Sequence, residues 1–131
     1  MQFSHFMIWW TITMVIAVGH MAIHELGHIF AALAVGSRVK GIGWGRLGPY
    51  TVREAVANPF MNALVALSGP AANLLTWYLL IGLGYDGHNP RVYCALFLAL
   101  FNLLPLPCSD MTRVLCCASE DYPKCSGISS K

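Results

Sequence analysis

Charge is what this chain has least of. Asp, Glu, Lys and Arg together make up 11% of its 131 residues, whereas hydrophobic residues make up 56% and the mean hydropathy is +0.58. Soluble domains carry roughly a quarter charged residues, so this composition places the chain in the membrane class. A net charge of only +2 provides no electrostatic footprint for nucleic acid. Cysteine offers little framework either. Cys94, Cys108, Cys116, Cys117 and Cys125 are odd in number and have no C-x-x-C spacing, so a zinc ribbon, a redox pair or a disulfide scaffold is not expected. They read as buried or cytosolic thiols, with Cys116-Cys117 a lipidation candidate near a membrane surface. A basic n-region is also missing ahead of the first apolar stretch. The small residues Ala17-Val18-Gly19 therefore read as part of a retained helix rather than of a cleaved signal peptide.

Against this uncharged background one stretch stands out. His24-Glu25-Leu26-Gly27-His28 spells H-E-x-x-H, in which two imidazoles one helical turn apart share a face with a carboxylate beside them. It lies in an apolar run from Phe3 to Val35 that contains no lysine, no arginine and no second acid. An ionisable group at membrane depth is costly, so a glutamate placed there marks a functional site. His20 falls on the same stripe, one turn earlier. It is either a packing histidine bonded to a neighbouring backbone or a group that supports a ligand or touches substrate.

Three apolar runs predict an all-α membrane protein with a three-span helical core, the spans covering about 3–35, 59–83 and 91–106. A first helix of that length reaches about 50 Å against a hydrocarbon core of about 30 Å, so it must tilt, break or project. Gly19 and Gly27 are the places for close contact or bending. Between the first two spans, the segment from Gly36 to Asn58 is glycine-rich, basic and partly alternating, which predicts a short β-hairpin or strand loop. It is either a bare loop or an edge able to pair with an extended peptide. Asn58-Pro59 reads as an N-cap and first helical position, and Pro70 as a kink. Asn73 should face the bundle interior, as interhelical glue or as a group binding substrate backbone or a developing oxyanion. Gly84 to Pro90 is a turn cluster with His88 in solvent, and Asn102, Pro105 and Pro107 break the third run. Residues 1–118 form the core, and 119–131 a polar, frayed tail.

The positions of the basic residues predict orientation. Arg38, Lys40, Arg46 and Arg53 lie after the first span, Arg91 before the third, and Arg113, Lys124 and Lys131 beyond it. This puts the 37–58 loop and the C-terminus in the cytoplasm and the N-terminus outside. His24, His28 and Asp110 then fall at one depth, near the cytoplasmic ends of their spans. Catalytic zinc usually has three protein ligands and an open position for water, and Asp110 is the best-placed third ligand. It could instead cap the turn that follows it. Glu54 has a cation to pair with in its own loop, Asp86 sits on the opposite side, and Glu120 and Asp121 are solvated. Glu25 fits a general base acting on a water that zinc activates.

These residues resemble those of the site-2 protease family of intramembrane zinc metalloproteases. His24 to His28 matches its first motif, and Ser68-Gly69-Pro70-Ala71-Ala72-Asn73 its G-P-x-x-N segment. Asn102-Leu103-Leu104-Pro105-Leu106-Pro107-Cys108-Ser109-Asp110 is similar to its N-x-x-P…D-G segment, and Arg113-Val114-Leu115 continues the match. Met111 and Thr112 depart from the glycines usual after the aspartate. The resemblance implies one Zn²⁺ per chain on His24, His28 and Asp110, with Glu25 catalytic and Asn73 and Asn102 as substrate or oxyanion contacts. It implies hydrolysis of membrane-anchored substrates near the cytoplasmic face by a minimal core of the family. The expected partners are a transmembrane protein substrate, the lipid bilayer and a homo- or hetero-oligomeric assembly. The alternative is a non-catalytic relative, a membrane binding or chaperone-like protein.

Overall fold

The computed structural model describes residues 2–45, 48–106 and 109–118. Helix α1 (Gln2–Ala34) is followed by strands β1 (Val39–Gly45) and β2 (Gly48–Arg53), then by helices α2 (Pro59–Gly82), α3 (Pro90–Leu103) and α4 (Asp110–Ala118). The expected tail, along with Cys108 and Cys125, lies outside the described residues.

Local chemistry accounts for the boundaries. Gly36 takes a left-handed φ of 75° at the end of α1, and the Gly36 and Ser37 amides donate to the carbonyls of Leu33 and Ala32 at 3.1 and 2.8 Å. This is a Schellman termination, which a residue with Cβ would strain. Gly84, with φ 84°, closes α2 in the same way, its amide bonding Ile81 and that of Tyr85 bonding Leu80. The Asn58 side chain accepts from Phe60 N at 2.9 Å ahead of Pro59, and Asn89 does the same for Arg91 ahead of Pro90.

The 33 residues of α1 form one unbroken helix. Of its two candidate contact glycines, Gly27 is pressed against α2, where a Cβ would come 2.6 Å from the Ser68 carbonyl oxygen and 2.9 Å from Ala72 Cβ. Gly19 has open space around it and is no contact point. Helices α1 and α2 are long and apolar enough to cross a membrane. The third apolar run forms only 14 helical residues, about 21 Å, and ends at Leu103 rather than continuing to 106. Helix α2 continues past Pro70 without interruption. The loop after α1 is a hairpin, β1 pairing antiparallel with β2 and placing Ile42 opposite Thr51.

The partition of side chains is inverted relative to a soluble domain. The buried apolar residues are small or medium-sized, among them Ala32, Val65, Ala66, Val92, Ala95 and Ala99, and they share the interior with His20, His24, Glu25, His28, Asn62, Asn73 and Asp110. The exterior carries Phe6, Trp9, Trp10, Phe30, Tyr78 and Phe97. Small residues let helix backbones approach closely, and polar residues facing inward are what lipid on the outside demands.

One element is absent from the sequence reading. Residues 110–118 form α4, packed on α2. Ser109, not Asp110, is its cap, with the Ser109 hydroxyl oxygen accepting from Thr112 N at 3.3 Å while donating to Leu104 O at 2.6 Å. Asp110 stands in the first turn, where the helix dipole favours a carboxylate.

Candidate metal centre

The stripe expected from the i, i+4 spacing is the stripe α1 buries: His20, His24, His28 and Ala32 all face inward. His24, Glu25 and His28 form a buried group whose ligand atoms lie within 4.8 Å of one another, a cluster that could hold a metal ion. Asp110 arrives from α4. Its Oδ2 lies 2.9 Å from His24 Nε2 and its Oδ1 3.4 Å from His28 Nε2, while the two Nε2 atoms are 3.2 Å apart.

Those three separations link two imidazole nitrogens and both carboxylate oxygens in one compact group. Donors about 2.0–2.1 Å from one tetrahedral ion are separated from each other by about 3.3 Å, which the observed distances bracket. Asp110 Oδ2 also has no hydrogen-bond donor aligned on it, despite its nearness to His24. The three side chains therefore converge on one small region between α1 and α4. Burial pushes the Asp110 carboxyl up, but facing His24 and His28 outweighs this and holds it well below the usual carboxylate range, in the charged form a ligand needs. Met111 and Thr112, which replace the expected glycines, leave Asp110 in reach of both imidazoles.

Helix α2 backs the cluster. Val65 O accepts from His28 Nδ1 at 2.7 Å, which fixes the proton on Nδ1 and leaves Nε2 bare. Gly69 lies against both rings: a Cβ there would come 2.6 Å from His28 Cε1 and 2.7 Å from His24 Cε1. Asn73 is fully buried, as expected of an interior amide, with Nδ2 3.5 Å from His24 Nδ1.

Two contributors were not anticipated. Thr51 on β2 donates its hydroxyl to Glu25 Oε2 at 2.7 Å, joining the hairpin to the acid of the motif. Asn62 on α2 is buried and ties down the exit from the hairpin, accepting from Arg53 Nη1 at 2.8 Å and Val56 N at 3.1 Å and donating to Val56 O and Asn58 O. A polar residue three positions after the Asn58-Pro59 cap was the available signal for Asn62. Nothing in the local pattern marked Thr51.

The other expected positions divide. Asn102 donates to Leu98 O of its own helix at 3.0 Å, a local bond rather than a contact with the cluster. His20 is buried with Nδ1 unpartnered. Glu54 pairs with Lys40 at 3.4 Å on the exposed side of the hairpin, and His88 is exposed. Cys94 and Cys117 are free thiols, and burial pushes the Cys117 thiol up against a smaller lowering by Arg53. Cys116 is disulfide-bonded, contrary to the expectation of thiols alone. Compared with known protein families and with curated protein sequences, the chain has no match.

Proposed function

We propose that this chain is an intramembrane zinc metalloprotease that hydrolyses peptide bonds of membrane-anchored substrates near the cytoplasmic face, as the resemblance to site-2 proteases implies. The observation that carries the reading is the convergence of His24 Nε2, His28 Nε2 and the Asp110 carboxylate with no aligned donor on Asp110 Oδ2. His24, His28 and Asp110 would hold the ion. Bound zinc supplies a polarised, readily deprotonated water and Lewis-acid stabilisation of charge on a carbonyl oxygen.

The chain's own residues do the rest. Glu25 takes the proton from the attacking water and passes it to the leaving amine. Thr51 holds one carboxylate oxygen of Glu25 and leaves the other to face the water. His28, its Nδ1 proton held by Val65, presents Nε2 in one orientation. The β1–β2 hairpin, anchored at Glu25, is the edge on which an unwound substrate segment pairs. Unwinding must come first, because a transmembrane helix has its backbone amides already satisfied.

Support for a membrane setting comes from the inverted partition of side chains and from the two helices of crossing length. The site lies about 9–15 Å from the C-terminal end of α1, so water has a short path from the side facing the hairpin. In this reading α3 completes a three-span core, with the N-terminus outside and the hairpin in the cytoplasm.

The test is Glu25→Gln in the full chain, purified in detergent or placed in liposomes with a transmembrane substrate. Zinc content should be retained and cleavage abolished. Undiminished cleavage by Glu25→Gln, or unchanged zinc content in Asp110→Ala, overturns the assignment.

A further inference from the structure

Each imidazole of the cluster has a polar group of α2 behind it. Behind His28 it is the Val65 carbonyl, 2.7 Å from Nδ1, with the Ser68 hydroxyl further off at 3.4 Å. Behind His24 it is the side-chain amide of Asn73, two helical turns further along the antiparallel helix, with Nδ2 3.5 Å from Nδ1. Between them lies Gly69, where the rings rest on the backbone. The two histidines are therefore treated alike by α2 except at one point. The amide of Asn73 turns an N–H towards His24, whereas Val65 turns an oxygen towards His28.

That point is chemically inconsistent with the rest of the cluster. An N–H aimed at His24 Nδ1 requires Nδ1 to be unprotonated, which puts the ring proton on Nε2. Nε2 is the atom that faces Asp110 Oδ2 and His28 Nε2, and a protonated Nε2 cannot ligate. The same orientation leaves Asn73 Oδ1 fully buried with no donor, a cost of about 1–3 kcal/mol. Exchanging the two ends of the amide removes the conflict at His24 and gives Oδ1 a donor. The ends are near-identical in shape, and the hydrogen-bond network decides between them. With Oδ1 towards His24, the amide accepts from Nδ1–H and Nε2 is left bare.

We propose that Asn73 is a positioning residue whose side-chain carbonyl accepts the Nδ1 proton of His24, setting the tautomer and ring orientation in which Nε2 binds the metal. Asn73 thereby does for His24 what the Val65 backbone does for His28. An amide supplies a carbonyl without adding a buried charge. Its role is to hold a ligand, not to contact substrate or stabilise an oxyanion.

The inference rests on the metal-centre reading above, and the experiment separates the two. Zinc affinity of the full chain in detergent is measured by competition with a chromophoric chelator, for wild type, Asn73→Leu and Asn73→Asp. The visible spectrum of the Co²⁺-substituted forms is recorded alongside. Leucine keeps the volume and removes the acceptor, and should weaken zinc about 10- to 100-fold with an altered Co²⁺ spectrum. Aspartate keeps an acceptor oxygen and removes the N–H, and should restore affinity to within a few-fold of wild type with a wild-type spectrum. Equal affinity in wild type and Asn73→Leu overturns the role of Asn73 while leaving the metal centre intact. Equal weakness in Asn73→Asp and Asn73→Leu does the same, by assigning the effect to the N–H or to packing. A wild type that binds no zinc overturns the metal centre itself, and this inference with it.

Discussion

Adding one methyl group at Gly69 should disable the cluster without touching any of its donors. A Cβ there would stand 2.6 Å from His28 Cε1 and 2.7 Å from His24 Cε1, and it would also crowd His28 Nε2. Carbon atoms pack at about 3.5–4.0 Å, so the rings must retreat by about 0.8 Å or the helices must part by a similar amount. Neither retreat is easy. His28 is held from behind by Val65 O, and Gly27 lets α1 touch the Ser68 backbone on the other side of the same contact. Metal sites tolerate ligand displacements of about 0.2 Å, a quarter of that movement. Overpacking of this kind costs about 1–3 kcal/mol, and if it falls on the ligand geometry it corresponds to a loss of about 5- to 150-fold in zinc affinity. The assay is chelator competition on Gly69→Ala, with Gly19→Ala as the control, since nothing lies within 4 Å of a Cβ at Gly19. Alanine improves helix propensity by about 1 kcal/mol over glycine, so the control should be neutral or slightly stabilised. Wild-type zinc affinity in Gly69→Ala would show that the imidazoles do not rest on α2 as described.

Two further substitutions probe the elements around the cluster. Thr51→Val keeps the shape of the side chain and removes the donor to Glu25, which at about 1.5–3 kcal/mol for a bond to a charged group should lower kcat about 10- to 100-fold. Zinc content should not change, Thr51→Ser should recover most of the rate, and an unaffected kcat in Thr51→Val would remove Thr51 from the picture. Asn62→Ala strips the buried amide that joins the hairpin exit to α2 and leaves the Val56 amide and carbonyl short of partners. Thermal unfolding in detergent should show a loss of about 2–4 kcal/mol, and an unshifted transition would mean that this junction contributes little to the fold.

Much of this arrangement could be read along the chain because it depends on residues near one another. The apolar runs, the Asn58-Pro59 start of α2 and the four-residue spacing of His20, His24 and His28 are local patterns, and the helices follow them closely. The inward face of α1 is legible for the same reason: in the second half of the helix the ionisable residues His20, His24, Glu25 and His28 mark the buried side, while His5 near its start is exposed. What escaped the reading is either too short or too distant. Helix α4 has nine residues of mixed character and no apolar stripe long enough to announce itself, and it forms against α2 under a serine cap. The bond from Thr51 to Glu25 spans 26 positions, and no periodicity encodes it. Asn102 was singled out by resemblance to a motif, and one of its amide N–H groups donates to Leu98 O a turn back.

The acid that completes the donor group stands 82 residues beyond His28, on the last helix of the described chain. A nascent chain thus carries the H-E-x-x-H segment without its third donor until α4 has been made. Only when α4 docks does the third donor arrive. Under the proposed function, a protease assembled in this order stays inert until α4 docks, and metal loading reports that docking.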